Sequence, residues 1–372
     1  MSRKTMPGSK REGSNGCSRL GTVTAVQANF YQVRLDDPLD WGSEDLESTN
    51  SLLCTRRALL KKLGQSVMVG DRVQVEDPDW TGGRGAISAV LTRQTMLARP
   101  PVANATQIFL VFSLAQPEID PLQLTRFLLT AQQTRMQIGV GLSKADLVPE
   151  AVQRDWCDRL QQWGYRAIAL SLVNEQGLGE VQEQLQGQLT VLSGPSGVGK
   201  SSLINHLIPH LNLRTGLVSQ RWHQGRHTTR HTELFNLPQG GLLADTPGFN
   251  QPDLPIHPGD LAQLFPEIQR QLNHQSCHFN DCQHLQEPGC VLDKGWERYD
   301  HYVQLLEEIT AQYDPSLHSG REESQTKTKV RRHGKQEREP RLEQKKYRRE
   351  SRRSQHQSLA DLYAEELQQD RP

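Results

Sequence analysis

The chain has 372 residues, 35% of them hydrophobic and 6% aromatic, and its 43 Lys and Arg residues equal its 43 Asp and Glu residues in number. This length allows three domains, and no apolar run approaches the roughly 20 residues of a membrane-spanning helix. The zero net charge excludes a uniformly cationic protein, so any basic surface must be confined to part of the chain. The composition therefore favours a globular protein of several domains with no membrane partner.

The first 18 residues predict a basic, disordered arm. Met1–Arg19 is polar and lacks the apolar stretch of a secretory signal. We therefore expect a cytoplasmic protein whose thiols stay reduced. Three of its six cysteines, Cys17, Cys54 and Cys157, are scattered along the chain and need no explanation beyond ordinary packing.

Residues 19–99 predict a small β-barrel. Gly21–Leu35 and Ser66–Asp77 alternate apolar and polar residues with the period of half-buried strands, and Gly82–Leu91 adds another strand. The OB-fold is one such barrel, and it binds single-stranded nucleic acid. An acidic stretch, Asp36–Glu47, interrupts the pattern and predicts a flexible loop that would repel RNA.

The barrel offers side chains for an RNA-binding face. Basic side chains would follow phosphates, and aromatic rings would stack on bases. The candidates are Arg56, Arg57, Lys61 and Lys62 for phosphates, and Phe30, Tyr31 and Trp80 for bases. The alternative is an ordinary solvated face above core aromatic residues.

Residues 100–255 predict an α/β domain behind a stiff hinge at Leu97–Val102, which carries two consecutive prolines. Apolar strands such as Ile108–Leu114 alternate with helical patterns at Leu122–Gln133 and Glu150–Trp163. That alternation predicts a largely parallel sheet covered by helices.

The segment Leu142–Leu147 (LSKADL) resembles the N-K-x-D base-reading motif of GTPases, with Ser143 at the asparagine position. The Asp146 carboxylate would accept two hydrogen bonds from N1–H and the exocyclic amine of guanine, a pair that adenine does not offer. Lys144 would pack over the base or under the phosphate loop. Serine has one hydroxyl in place of an amide, so we expect weaker base binding. Alone, the motif also fits a surface turn that starts a helix.

A second segment, Ala169–Gly179 (ALSLVNEQGLG), resembles the GTPase segment whose backbone N–H contacts O6 of guanine. Ser171 and Leu172 take its leading positions. Both base-reading segments precede the phosphate-binding segments in this chain, whereas GTPases usually place them afterwards.

The segment Gly194–Ser202 (GPSGVGKSS) fits the phosphate-loop pattern G-x-x-x-x-G-K-[ST]. Its glycines would let backbone N–H groups turn toward phosphate oxygens, while Lys200 reaches the β and γ phosphates and Ser201 ligates Mg²⁺. The apolar strand Leu189–Ser193 enters the loop, and the helix Ser201–Ile208 leaves it, so a helix N-terminus faces the phosphates. A glycine-rich turn without a ligand is the alternative. The predicted GTP-binding residues of the loop are Gly194, Pro195, Ser196, Gly197, Val198, Gly199, Lys200, Ser201 and Ser202.

Two downstream segments complete a GTPase set. Gly241–Phe249 (GLLADTPGF) resembles D-x-x-G, in which Asp245 would hold Mg²⁺ through water and the Gly248 N–H would contact the γ-phosphate. The segment GRHTT at 225–229 would supply Thr229 as a second hydroxyl on Mg²⁺. One cyclic shift of the usual order accommodates all five motifs. We therefore predict a circularly permuted P-loop GTPase domain.

The position after D-x-x-G, where many GTPases have a water-orienting glutamine, is Phe249. Its apolar ring cannot align water, so His227 is the candidate for positioning the attacking water. Lys200 and Thr229 complete the predicted catalytic set. The alternative for His227 is a loop histidine that binds a backbone group or an RNA phosphate.

The other three cysteines lie with a histidine in the pattern C-x4-C-x-H-x5-C, formed by Cys277, Cys282, His284 and Cys290. Three thiolates and an imidazole suit a closed, structural, tetrahedral zinc site. Disulfides in a secreted protein are the alternative, which the expected reducing compartment disfavours. We predict a helical zinc-binding domain over residues 256–315.

The motifs LSKADL, GPSGVGKSSLIN, GRHTT, DTPGF and CHFNDCQHLQEPGC, followed by RYDHY, together resemble the RsgA (YjeQ) family of small ribosomal subunit biogenesis GTPases. The resemblance runs from about residue 18 to about residue 312. It implies an N-terminal OB-fold, a permuted GTPase domain and a C-terminal zinc domain, with one Zn²⁺ per chain and Mg²⁺ bound with GTP.

The resemblance also implies a function. It predicts a monomeric protein that binds the 30S subunit and its 16S rRNA, and that hydrolyses GTP to GDP and phosphate with 30S stimulation during late maturation. A second class stays open, namely an RNA-binding assembly module that uses GTP as a structural or switch ligand with negligible turnover.

Residues 316–372 predict a basic, largely disordered tail. Between Arg321 and Arg353 there are fourteen Lys or Arg residues against six Asp or Glu residues. Apolar residues are nearly absent, so the segment cannot bury a core of its own. We expect it to bind phosphate backbone, the alternative being a solvated tail. Leu359–Leu367 predicts a short helix without an assigned role.

Overall fold

The computed structural model describes residues 18–36, 50–98, 101–211, 232–245, 254, 256–313, 326–330 and 336–340. The predicted arm, except Ser18, and nearly all of the acidic stretch lie outside these residues. The chain divides into two compact units, residues 1–311 and 312–372. Among the described residues, no helix is both long and apolar enough to cross a membrane.

Five strands form the N-terminal β-barrel. They are β1 (Arg19–Gln27), β2 (Phe30–Leu35), β3 (Ser51–Arg56), β4 (Arg72–Asp79) and β5 (Arg84–Val90), with a short helix α1 (Ala58–Lys62) after β3. The strands pair in the order β1-β2-β3-β5-β4, and β4 closes the ring onto β1. Alternate residues of β2 and β3 are buried, and Val23, Val33 and Val73 fill the interior. The predicted OB-like barrel is confirmed.

The connection between barrel and α/β domain is a packed ribbon. Met96–Ala98 (β6) pairs antiparallel with Pro101–Ala103 (β7). Leu97 and Val102 are buried in the core of the α/β domain, and Val102 also bridges Val69 next to the barrel. The two prolines predict a stiff hinge, and the structure has this ribbon at that place. Burial of the apolar Leu97 and Val102 side chains stabilises the ribbon relative to an exposed linker.

The central domain is a parallel sheet with one antiparallel strand. Its strands are β8 (Gln107–Ser113), β9 (Gln137–Ser143), β10 (Ala167–Ala169), β11 (Leu189–Ser193), β12 (Glu233–Asn236) and β13 (Leu242–Asp245). They lie in the order β10-β9-β8-β11-β13-β12, and only the β12–β13 pairing is antiparallel. Every residue of β8 and β11 is buried, as expected for strands with helices on both faces.

Four helices cover this sheet. They are α2 (Pro121–Gln133), α3 (Glu150–Trp163), α4 (Leu178–Leu185) and α5 (Lys200–Leu207). The Asp120 carboxylate caps α2 by accepting from the N–H groups of Leu122 and Gln123, with Pro121 at the first position. α3 ends at Gly164, whose φ of 101° is the left-handed conformation that stops helices. The predicted bounds of α3 and β11 are confirmed.

The barrel and the sheet are hydrogen bonded to one another. β1 pairs antiparallel with β12 at Ala25 and Glu233, so one continuous sheet of eleven strands runs through both domains. The Arg34 guanidinium also donates to Asn236 Oδ1. Neither contact has a local sequence signal.

The C-terminal domain of the first unit is helical. A 3-10 turn (Pro258–Leu264) leads into α6 (Pro266–Leu272), and after the zinc motif comes α7 (Tyr299–Gln312). Leu261, Phe265 and Tyr302 are at the centre of its core. Leu129 of α2 also belongs to this cluster, so the domain packs on the central α/β domain.

In the second unit, Thr326–Val330 (β14) pairs antiparallel with Gln336–Pro340 (β15). The register places Lys327 opposite Glu339 and Lys329 opposite Glu337. This two-stranded ribbon lies within the stretch that the sequence predicts to be largely disordered. Its strands lack the apolar alternation that indicates a half-buried strand. The predicted helix at Leu359–Leu367 lies outside the described residues.

Candidate nucleotide site and metal centre

The phosphate loop connects β11 to α5 at the carboxyl edge of the sheet. Gly194 has φ 137°, and a Cβ there would lie 2.1 Å from the carbonyl oxygen of Val111 on the neighbouring strand. Gly197 and Gly199 also have positive φ, at 81° and 96°. Only glycine takes up these conformations without strain, so the backbone is shaped as the motif predicts. α5 begins at Lys200, one residue before the predicted start.

The Lys200 side chain folds back onto the start of this loop. Its Nζ donates to the carbonyl oxygens of Gly194 at 2.7 Å and Pro195 at 2.5 Å. These contacts keep the ammonium group beside the loop, where it is placed to meet phosphate oxygens. Ser201 is half-buried at the second position of α5, where the motif requires a hydroxyl.

The base-reading turn is tied directly to the phosphate loop. The Ser143 hydroxyl lies 2.6 Å from the carbonyl oxygen of Val198 and 3.1 Å from that of Phe112, and it is buried. Lys144, with φ 57°, extends its Nζ to the carbonyl oxygens of Gly197, at 3.0 Å, and Gln116. The lysine therefore lies against the phosphate loop, one of the two placements that the sequence predicts.

Asp146 and Ser171 form one unit. Asp146 lies in a 3-10 turn (Ala145–Leu147) directly after β9, and its Oδ1 accepts from the Ser171 hydroxyl at 2.5 Å. The same hydroxyl accepts from the N–H of Val173 at 3.1 Å, and Ser171 is fully buried. The two base-reading segments, which are separated along the chain, thus meet at a single hydrogen bond. Each carboxylate oxygen has two lone pairs, so Asp146 can still accept two further hydrogen bonds from a ligand.

The four zinc-motif side chains come together as the pattern predicts. The ligand atoms of Cys277, Cys282, His284 and Cys290 all lie within 4.8 Å of one another. His284 Nδ1 is 3.6 Å from the Cys277 and Cys282 sulfurs and 3.7 Å from the Cys290 sulfur. A tetrahedral ion with Zn–S of about 2.3 Å and Zn–N of about 2.0 Å requires S···N edges of about 3.6 Å. The donor set therefore fits Zn²⁺ in both chemistry and size.

Neighbouring groups hold the metal loop in shape. The Glu287 carboxylate accepts from the N–H groups of Gln283 and Leu285, both at 2.9 Å. Burial opposes ionisation of Glu287, but these backbone donors outweigh it and lower its pKa. Tyr302 Oη donates to the Gln283 carbonyl oxygen at 2.6 Å, which connects the loop to α7. Burial also lowers the pKa of His284, which favours the neutral imidazole that a metal binds.

The chain was compared with known proteins. The RsgA GTPase family model matches residues 90–255. The small ribosomal subunit biogenesis GTPase RsgA 1 of Nostoc sp. is 52% identical over 360 residues, which cover 93% of this chain and 97% of that protein. The chain belongs to the RsgA GTPase family. The RsgA of Thermosynechococcus vestitus is 51% identical over 350 residues, covering 94% of this chain and 98% of its own.

Solved RsgA-type structures agree with the architecture. YjeQ from Thermotoga maritima superposes with a TM-score of 0.66 at 29% identity, over 80% of this chain and 100% of its own. YloQ, described as a circularly permuted GTPase, gives a TM-score of 0.66 at 29% identity over 82% and 99% of the two chains. The family resemblance and the permuted GTPase fold are thereby confirmed, and this RsgA chain is a GTPase.

Several predicted RsgA site residues fall outside the described part of the chain. His227, Thr229 and Gly248 are among them. Asp245 is described for its backbone, which ends β13 beside Leu192 at the entrance to the phosphate loop. Its predicted role in holding Mg²⁺ stays a prediction.

The barrel corrects part of the predicted RNA-binding set. Tyr31 is a core residue at 2% exposure, because the pleat of β2 turns it inward, so it cannot stack on a base. The Arg56 guanidinium carbon lies 5.6 Å from the centroid of the Tyr31 ring, and Arg56 donates to the Gln65 carbonyl oxygen. Arg57 is paired with Glu76 at 2.9 Å and with Asp77.

The remaining RNA-binding candidates are the exposed ones. Phe30 and Trp80 are 49% and 36% exposed, and Lys62 is exposed as well. The side chain of Lys61 lies outside what the structure describes. Phe30 and Tyr31 are neighbours on β2, and successive side chains of a strand point to opposite faces. Phe30 is therefore on the surface, and Tyr31 is in the core.

The sequence pattern does not indicate the residues that connect the C-terminal helical domain to the GTPase domain. Glu297 accepts hydrogen bonds from Arg159, and from Trp163 Nε1 at 2.9 Å, both on α3. Burial alone would raise the pKa of Glu297, but these donors outweigh it and lower the pKa. Such pairs lie more than 130 residues apart, and no local pattern indicates them.

Proposed function

We propose that this chain hydrolyses GTP while bound to the small ribosomal subunit and assists the late maturation of that particle. The observation that carries the proposal is the contact of Ser143 and Lys144 with the phosphate loop, which joins the base-reading and phosphate-binding halves into one nucleotide site. The names of its relatives, small ribosomal subunit biogenesis GTPases, supply the particle.

In this proposal each half of the site has its own task. Asp146 reads N1–H and the exocyclic amine of guanine, with Ser171 holding one of its oxygens. The loop of residues 194–199 surrounds the phosphates with backbone N–H groups. Lys200 stabilises the negative charge that shifts from the γ-phosphoryl group toward the β-phosphate oxygens in the transition state.

Two metal ions belong to the proposal. The Cys277, Cys282, His284 and Cys290 cluster would hold one structural Zn²⁺, since four protein ligands leave no position for catalysis. Ser201 and Thr229 would bind Mg²⁺ with GTP, with Asp245 acting through water. Mg²⁺ would supply charge neutralisation at the phosphates.

The water-positioning role is assigned to His227. Phe249, after D-x-x-G, has no group that orients water. Arg226 would more naturally offset charge than orient water. We infer that ordering of the segment around His227 on the ribosome is what accelerates hydrolysis.

The ribosomal contact is proposed to involve 16S rRNA. Exposed Phe30 and Trp80 suit stacking on unpaired bases, and Lys62 suits a phosphate. The protein is proposed to act as a cytoplasmic monomer.

GTP turnover measured with and without purified 30S subunits tests the proposal. We expect slow turnover alone and at least tenfold faster turnover with 30S, because the phosphate loop is intact while Phe249 stands where many GTPases have a water-orienting glutamine. Lys200→Ala is the inactive control, because it removes the phosphate-binding charge while the base-reading turn stays intact. Equal and negligible rates in both conditions, with GTP still bound, would instead support the RNA-binding module that uses GTP as a structural ligand.

A further inference from the structure

The turn that carries Asp146 is held from behind by a buried glutamine. Gln153 lies in the first turn of α3 and is only 8% exposed. Its Nε2 donates to the carbonyl oxygen of Ala145 at 2.8 Å and approaches that of Val148 at 3.3 Å. These two carbonyls flank Asp146, so one side-chain amide fixes the backbone on both sides of the carboxylate that faces the base.

The oxygen of the same amide reaches the second base-reading segment. Gln153 Oε1 accepts a hydrogen bond of 2.8 Å from Nε2 of Gln176. The carbonyl oxygen of Gln176 in turn accepts from the N–H of Ser171 at 3.0 Å. Every hydrogen-bonding group of the Gln153 amide is therefore used, with its N–H groups on one loop and its oxygen on the other.

The loop that carries Gln176 approaches the sheet closely at the next residue, Gly177. Gly177 has φ 69°, and a Cβ there would lie 2.3 Å from the carbonyl oxygen of Ala169 on β10. The loop therefore packs against β10 at Gly177 and is hydrogen bonded to α3 through Gln176. The same loop also reaches Asp146 through the hydrogen bond from the Ser171 hydroxyl.

We propose that Gln153 and Gln176 are positioning residues that set the geometry of Asp146 and Ser171 and thereby the selectivity for guanine. The inference rests on the proposed guanine site. Neither glutamine touches the phosphate loop through a hydrogen bond of the described residues, so the bridge acts on binding of the base and not on the chemical step. Loss of the bridge leaves buried carbonyls with fewer donors and frees the turn to shift.

Two substitutions test the bridge. Gln153→Met keeps the length of the side chain without its amide, and Gln176→Ala removes only the second half of the bridge. For both we expect the GDP dissociation constant and the KM for GTP to rise roughly tenfold, with kcat at saturating GTP within about twofold of wild type, as expected when uniform binding is lost. Gln161→Ala, at an exposed position of the same helix, is the matched control.

The preference for GTP over inosine triphosphate distinguishes a positioning role from a packing role, because loss of packing alone would not change it. Inosine triphosphate lacks the exocyclic amine that Asp146 reads, so wild type should prefer GTP to it. We expect that preference to fall several-fold in both bridge variants and not in the control. Gln153→Glu keeps the acceptor for Gln176 but loses both donors to the Asp146 turn, so it should behave like Gln153→Met.

Unchanged GDP affinity and an unchanged preference for GTP over inosine triphosphate in Gln176→Ala would overturn the proposal. A lower melting temperature with unchanged preference in Gln153→Met would also overturn it, since that result assigns a packing role. If Gln153→Met does not fold, Gln176→Ala decides alone, because its side chain is half-buried in a loop. A wild type that does not distinguish GTP from ATP would overturn the guanine site itself, and the bridge with it.

Discussion

Ser143 is a small side chain that joins two segments of the candidate nucleotide site. Its hydroxyl lies 2.6 Å from the Val198 carbonyl oxygen, so the base-reading turn and the phosphate loop are joined despite the missing amide. A hydroxyl has one proton, and the Val198 and Phe112 carbonyls compete for it. The joining role is therefore retained with fewer donors, and the expected weaker binding of the base stays a prediction.

Replacing Asp146 by asparagine should change which base is read. The substitution exchanges a carboxylate oxygen that accepts from guanine for an amide that donates. Xanthine carries a carbonyl where guanine carries its amine, so we expect Asp146→Asn to turn over xanthosine triphosphate better than GTP, with the preference shifted by at least tenfold. Steady-state rates with both nucleotides measure it, and Asp155→Asn, at an exposed position on α3, is the control. Retention of GTP preference would place base reading elsewhere.

At the scale of elements, the sequence predicts what local patterns encode. The bounds of β11 and α3 follow from an apolar run and from helical periodicity, and the phosphate loop follows from its glycines. The zinc cluster follows from ligand spacing, since its four residues are close along the chain.

Long-range contacts are what the sequence does not predict. Gln153 has no motif, because its importance comes from two loops that meet it only in the fold. Composition gives Tyr31 both as a candidate for stacking on bases and as a core ring, and only the phase of the strand's pleat, which turns it inward, decides for the core. The pairing of β1 with β12 joins residues more than 200 positions apart, and nothing in either strand marks the partner.

The metal loop should lose its ion when one thiol is removed. We expect one Zn²⁺ per chain in wild type and less than about a tenth of that in Cys282→Ser after chelator treatment, because binding energy of such a site is folding energy for its domain. Elemental analysis after gel filtration measures it. Cys157→Ser, a half-buried thiol on α3 outside the cluster, is the control and should keep its zinc. Equal zinc in the two variants would contradict the assignment.

The buried ion pair between Glu267 on α6 and Arg298, the residue before α7, should be costly to break by removing one partner. Arg298 is fully buried, donates to both oxygens of Glu267 at 2.7 Å and 2.6 Å, and lies 4.7 Å from the Trp163 ring centroid. Arg298→Met leaves the Glu267 carboxylate buried and unpaired, which costs about 3–5 kcal/mol. We expect Arg298→Met to unfold at a lower urea concentration than wild type, with tryptophan fluorescence as the measure of unfolding.

The matched control for that variant removes both charges. Glu267→Leu combined with Arg298→Met leaves no unpaired charge, so its loss of stability should be smaller than that of Arg298→Met alone. A double variant that is less stable than the single one would show that the hydrogen bonds of the pair, and not the unpaired charge, carry the effect.

At the scale of the whole molecule, the nucleotide site belongs to a framework that extends into both flanking domains. The eleven-stranded sheet includes the barrel strands through the pairing of β1 with β12. Arg159 and Trp163 of α3 contact Glu297 of the C-terminal helical domain. A particle that contacts the barrel or this helical domain therefore meets elements that are joined to the candidate nucleotide site, which suits a GTPase that is stimulated by its binding partner.

The net charge of zero hides a strongly basic C-terminal stretch, and this asymmetry leads to a prediction for the full chain. Arg321–Arg353 has fourteen Lys or Arg residues against six Asp or Glu residues. If these cations contact rRNA phosphates, replacing them by glutamine in the full-length protein should weaken 30S binding. The slope of log K for 30S binding against log salt concentration should also become less negative, by roughly 0.7–0.9 per lost phosphate contact. Turnover without 30S should stay unchanged, because the compact unit that holds the nucleotide site ends at residue 311. Binding measured at several salt concentrations tests this, and an unchanged slope would mean that the stretch is solvated and has no phosphate partner.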